Sequence, residues 1–179
     1  MSVKIMSARI GMALAALAFV MAAAPAQSQD APTDPQIAHI AYTAGDIDIK
    51  TADLALKTSQ NAEVIAFANN MVSDHQAVND QALALLKKLD VTPEDNDISK
   101  SLAADARKKH DELAKLEGDA FDKAYIENEV AYHKAVNDAL SGTLIPAADN
   151  AELKALLETG LTLFKQHQTH AEHLAASVK

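Results

Sequence analysis

Residues 64–89, VIAFANNMVSDHQAVNDQALALLKKL, place Val64, Ala68, Met71, His75, Val78, Ala82, Leu85 and Leu89 at strictly alternating spacings of four and three. Those spacings return side chains to one face of a 3.6-residue helix, so the segment predicts a single long helix with one buried stripe. The stripe is apolar except at His75.

Working outward, the same alternation recurs. Before it, Asp34-Pro35 offers an N-cap with proline at the first helical position. Ile37, Ala41, Ala44, Asp48, Thr51 and Ala55 then follow, and the segment frays at Ser59 to Asn61. After Asp90 comes a polar loop, Thr92 to Asn96, in which Asp97 can cap a shorter, more charged segment running from Ile98 to Glu117 with Leu102, Ala106, Leu113 and Leu116. Gly118-Asp119 stops that segment and caps the next, whose stripe is Ile126, Glu129, His133, Val136 and Leu140 up to Pro146. A final segment shows Leu153, Leu156, Gly160, Leu163, His167, His170 and Leu174. Four long amphipathic helices and one shorter one, joined by short loops, predict an all-α antiparallel bundle occupying residues 34–179.

Composition agrees. The 179 residues include five glycines, five prolines, 4% aromatics and no cysteine, which disfavours strand-rich folds and excludes disulfides, thiolate metal sites and cysteine nucleophiles. Residues 1–26 read as a secretory signal peptide: Lys4 and Arg9, an uncharged apolar stretch from Ile10 to Ala24, then Ala24-Pro25-Ala26 with cleavage after Ala26. That stretch is shorter than the ~20 residues needed to span a bilayer. A linker, residues 27–33, leads into the helical domain, and the expected destination is the periplasm or the exterior. Removing two basic residues takes the formal charge from −9 to −11. Such a surface repels phosphate backbones and anionic headgroups, so neither nucleic acid nor a membrane is an expected partner.

The informative positions are those that interrupt the stripes. Asp48, His75, Glu129, His133, His167 and His170 all fall where their own periodicity predicts burial, and ionisable groups are seldom buried without a partner. At ~1.5 Å per residue, Asp48 and His75 lie about 18 and 22 Å from the turn near Gln60. His133 and His167 lie about 20 and 28 Å from the loop near Pro146 by the same rise. The groups can therefore share one layer. Imidazoles and carboxylates converging from different helices are the donor set of a transition-metal site for iron, copper or zinc. Met71, a turn before His75, could add a thioether, although a methionine in such a stripe is ordinarily packing. Glu129 and His133 also have the i, i+4 spacing of a plain helix-face pair. The competing expectation is a structural or protein-binding bundle, with an unnamed protein partner, whose polar core only fixes helix packing. His39, His110 and His173 fall off the stripes and are expected at the surface.

The run from Gly45 to His75, with Asp48, Ala55, Phe67-Ala68, Met71-Val72 and Asp74-His75, resembles the opening of the DUF4142 family. Phe121-Asp122, Tyr125-Ile126 and His133 are similar to its middle motif, and Leu163, His167, Ala171 and Leu174 to its closing one. The resemblance implies an exported protein with a ferritin-like four-helix bundle whose recurrent histidines match His75, His133 and His167. It departs at Asp48, where the family generally carries Glu, and Glu129 and His170 lie outside the family pattern. The family has no settled activity. The chain itself offers no phosphate-cradling glycine loop, nucleophile elbow, dinucleotide fingerprint or paired Glu-x-x-His motif, so no catalytic residue is assigned.

Overall fold

The computed structural model describes residues 31–178. The signal peptide and most of the linker expected from the sequence lie outside the described residues. Helices α1 (Asp34–Thr58), α2 (Ala62–Leu89), α3 (Asp97–Leu113) and α4 (Gly118–Ala139) are followed by a π turn, Leu140–Leu144, and a last short helix, α5 (Ile145–Ala147). Helix α6 (Ala151–Ala175) completes the fold, and no strand forms among the described residues. No described helix is long and apolar enough to cross a membrane.

Helix ends follow local chemistry, with three adjustments to the expected caps. Asn61 accepts from the Glu63 N–H at 2.9 Å and starts α2. Asn96, not Asp97, caps α3, exchanging hydrogen bonds with the backbone and side chain of Ser99. Thr33, not Asp34, is the N-cap of α1. The Asp34 carboxylate instead accepts from the backbone N–H groups of Asp149 at 3.0 Å and Asn150 at 2.8 Å, tying the start of α1 to the start of α6. Glu117 occupies the N-cap of α4, because Gly118 takes a left-handed φ of 56° to turn the chain.

Pro146 does not end α4 abruptly. Having no N–H, it gives nothing to the carbonyl a turn behind, and the helix first widens so that Ile145 donates to Leu140, five residues back.

Asp90, the C-cap of α2, carries a φ of 54°, a left-handed conformation that a glycine adopts without steric cost. Asp90→Gly is therefore expected to stabilise the chain by up to about 1 kcal/mol and Gly118→Ala to destabilise it by about the same. Urea unfolding midpoints moving in opposite directions check both.

The three-residue turn after α1 sets α1 and α2 side by side, and α4 pairs with α6; contacts of α2 with α6 and of α1 with α4 close the ring. Helix α3 lies outside it against α1 and α4, burying only Ser99 and Leu113. The interior has two apolar clusters. One holds Phe67, Met71, Phe121, Tyr125, Ile126 and Leu174, the other Ile37, Leu86, Leu140, Leu153, Leu157 and Phe164. On each long helix an ionisable residue falls between the two, and this polar layer is where the chemistry lies.

Candidate metal centre

Asp48 from α1, His75 from α2, Glu129 and His133 from α4, and His167 from α6 are all buried, none more than 5% exposed. Three of them meet at one point. Asp48 Oδ2 lies 3.0 Å from His75 Nε2 and 3.3 Å from His133 Nε2, and the two imidazole nitrogens are 3.4 Å apart. His75, His133 and His167 bring ring nitrogens within 4.8 Å of one another, and Asp48, Glu129 and His133 form a second such group.

Hydrogen-bond partners orient the rings. His133 Nδ1 sits 3.1 Å from the Glu129 carbonyl oxygen, which can only accept, so Nδ1 carries the proton and Nε2 presents its lone pair to the centre. Histidines that hold metals are oriented in this way by a second hydrogen bond. His75 is held by packing, its ring stacked on Phe164 at 4.5 Å and 7°. His167 Nε2 lies 2.9 Å from Asp74 Oδ2 on the rim.

What these atoms lack is mutual satisfaction. Both Asp48 oxygens, His75 Nδ1, Glu129 Oε2 and His167 Nδ1 are enclosed without a hydrogen bond, although Asp48 Oδ2 is close to two imidazoles. Buried polar groups are normally paired, and an unpaired one costs about 1–3 kcal/mol. The triangle of Asp48 Oδ2, His75 Nε2 and His133 Nε2 puts each donor about 1.9 Å from its centre, just inside the ~2.0–2.1 Å of a zinc–imidazole bond. Asp48, His75 and His133 would hold an ion of that size, with His167 Nδ1 the unpaired imidazole nitrogen nearby.

Electrostatics favour a cation. Burial pushes the His133 imidazole down to about 4, against the opposing charge of Asp48, so it is neutral at pH 7. Burial also lowers His167, partly offset by its bond to Asp74. For Asp48, burial acts upward, but His75, His133 and His167 together hold it below the usual carboxylate range. Glu129 goes the other way: burial, reinforced by the charge of Asp48, raises its carboxyl well above the ordinary value. The layer thus sets a carboxylate held low, Asp48, beside imidazoles pushed down by burial, His133 and His167, and a carboxyl pushed up, Glu129. A cleft of about 210 Å³ between α1, α3 and α4, with Asp105 and Asn128 among its walls, reaches both carboxylates from outside.

His170 does not join them. It is exposed, its ring edge-on to Phe67 at 5.1 Å, while Ala171 takes the inward position. The expected α6 stripe is turned slightly: Leu157 and Phe164 are buried where Leu156 and Leu163 were expected. Met71 lies within the apolar cluster beside Phe67 and reads as packing. His173 is exposed and His110 half-buried, whereas His39 is more enclosed than expected, its Nδ1 buried and unpaired. Asp74 and Phe164 were not anticipated. Asp74 lies beside a core position but not on the stripe, and Phe164 is indistinguishable from packing until its ring is seen against His75.

The model for a domain of unknown function, DUF4142, matches residues 20–174. The chain belongs to the DUF4142 family. Among curated proteins none matches it. Of solved structures, one described as a secreted DUF305 protein from Streptomyces coelicolor superposes with a TM-score of 0.68 at 11% identity, covering 79% of this chain and 91% of that one. At that identity the likeness speaks for the helical fold alone. The DUF4142 chain thus shares an architecture with a DUF305 protein.

Proposed function

We propose that this DUF4142 protein is an exported ferritin-like helical bundle that binds one transition-metal ion through Asp48, His75, His133 and His167. Support comes chiefly from a single observation: Asp48 Oδ2, His75 Nε2 and His133 Nε2, from three helices, converge at 3.0–3.4 Å in a buried layer where both Asp48 oxygens lack a hydrogen-bond partner. Glu129 stands beside His133 as a protonated neighbour whose carbonyl fixes that ring, and His170 has no part. Imidazole and carboxylate donors suit iron, copper or zinc, and the absence of cysteine leaves no thiolate to select a softer ion. The role that follows is metal handling or stress protection outside the cytoplasm, with residues 1–26 removed on export, residues 27–33 as linker and residues 34–179 as the bundle. The DUF305 protein's description as secreted agrees with that location.

The test is elemental analysis of the chain beginning at Gln27, produced without a histidine tag and dialysed in turn against iron(II), copper(II) and zinc(II). About one equivalent of one metal is expected, as for a single mononuclear site. Occupancy far below one with all three metals overturns the proposal.

A further inference from the structure

Away from the polar layer, toward the end of the bundle that holds Leu140 and Leu153, a second cavity of about 200 Å³ opens between α1, α2, α4 and α6. Its walls are almost wholly apolar. An engineered cavity of ~150 Å³ with comparable walls stays dry and takes up benzene. Three features mark this one as more than a packing fault. Gly160 stands mid-helix, where glycine costs about 1 kcal/mol relative to alanine. An added Cβ there would meet only the Phe164 ring, at 3.4 Å, so sterics do not demand the glycine and its effect is to leave room. The π turn at Leu140–Leu144 widens the facing helix, and both leucines line the space. Finally, Ile98, one of two large apolar side chains left exposed (44%) among the described residues, borders the cavity from α3.

Three side chains with polar atoms line it, Tyr42, Asn79 and Tyr132, and Asn79 is the most enclosed of them. Asn79 is 4% exposed and lines the cavity, its carboxamide lying against Gly45, and its side chain has no hydrogen-bond partner among the described residues. Of the two tyrosines, Tyr132 already donates to the Ala44 carbonyl at 2.8 Å. A carboxamide on an otherwise apolar wall offers a ligand's hydroxyl or carbonyl group a hydrogen-bond partner.

We infer that this cavity is a binding site for a small, neutral, largely apolar molecule, of single-ring size, that carries one hydroxyl or carbonyl group for Asn79. The site is separate from the polar layer and does not depend on metal binding. Phe164, whose ring lines the cavity and stacks on His75, and Tyr132, which lines the cavity and packs edge-on to His133, form the wall between them.

The experiment is calorimetric titration of the protein, with chelator present throughout, using p-cresol and p-xylene, which differ by one hydroxyl in place of a methyl. Both are expected to bind, p-cresol about fivefold more tightly, the effect of one net hydrogen bond. Asn79→Leu is expected to remove that preference. Gly160→Leu, which extends a side chain into the space, is expected to abolish binding of both without lowering the melting temperature. Ile98→Ser, at the border, is expected to bind as wild type does and serves as a folded control should either interior variant fail to fold. Absence of saturable p-cresol binding to wild type, or p-xylene binding as tightly as p-cresol, overturns the inference, as does undiminished binding by folded Gly160→Leu.

Discussion

Metal at a hundredfold excess over its dissociation constant will raise the melting temperature of the wild-type chain by about 5–10 °C and leave that of His133→Leu unchanged. The magnitude follows from linkage: a ligand at that excess, binding only the native state, adds ~2.7 kcal/mol, and a domain of this size shifts about 2–4 °C per kcal/mol. His133 is the sharpest place to test it. Its Nε2 reaches both Asp48 and His75, and its Nδ1 is committed to the Glu129 carbonyl, so no other group can replace the lone pair it presents. Leucine approximates the imidazole's volume and adds no donor, so the metal-free variant should remain folded. Differential scanning calorimetry with and without each metal separates the outcomes. Equal shifts in the two proteins would place the ion elsewhere, and no shift in wild type would leave the polar layer as a packing device.

The second large effect concerns protons. In the metal-free chain His133 is held at about 4, below its ordinary 6.5. Between those values the unfolded chain binds a proton that the native chain refuses, so stability falls as pH drops through the window. The loss is about 3 kcal/mol at 1.36 kcal/mol per unit. Buried His167, also lowered, acts in the same sense. Asp48, held below the usual carboxylate range, adds stability that is lost only at still lower pH. Glu129 opposes all three. Its raised folded value means that above the ordinary carboxylate range the native chain keeps a proton the unfolded chain releases, so stability falls as pH rises.

Wild type is therefore expected to show a shallow optimum in the acid range. Glu129→Gln, which cannot ionise, is expected to climb from about pH 4 to 6.5, the His133 window, and then level off, while wild type loses stability as pH rises above the ordinary carboxylate range. Urea unfolding across that range is the measurement. Parallel profiles for the two proteins would show that Glu129 is not a protonated buried acid.

Much of this was legible from spacing alone. The four-three alternation located the long helices, and counting rise from the turns brought Asp48, His75 and His133 to one depth, where their atoms meet. Rotation about a helix axis was less legible. On α6, Leu156-Leu157 and Leu163-Phe164 are apolar at both neighbouring positions, so the pattern does not choose between two faces. The expected stripe took the face containing His170, and the packed helix buries Ala171 instead. The same ambiguity moved burial from Val136 to Asn137 and from Val78 to Asn79. Those asparagines run against hydrophobic patterning, and only the packed helices show that a polar side chain occupies the inner position. Asp34 was misassigned for a different reason. Its residue type suits a cap, but its carboxylate is claimed by backbone far along the chain, which no local rule reveals.

That clasp also sets a timetable. The hydrogen bond from Asp149 to Asp34 closes a loop of 115 residues, the kind of long-range contact a chain forms late. The polar layer obeys the same schedule, since its members come from α1, α2, α4 and α6 and the last histidine lies near the end of the chain. A nascent or partly threaded polypeptide holds at most scattered donors with no common centre. On the proposed reading, ion capture is the closing event of folding, and the metal held is the one available where the completed chain folds.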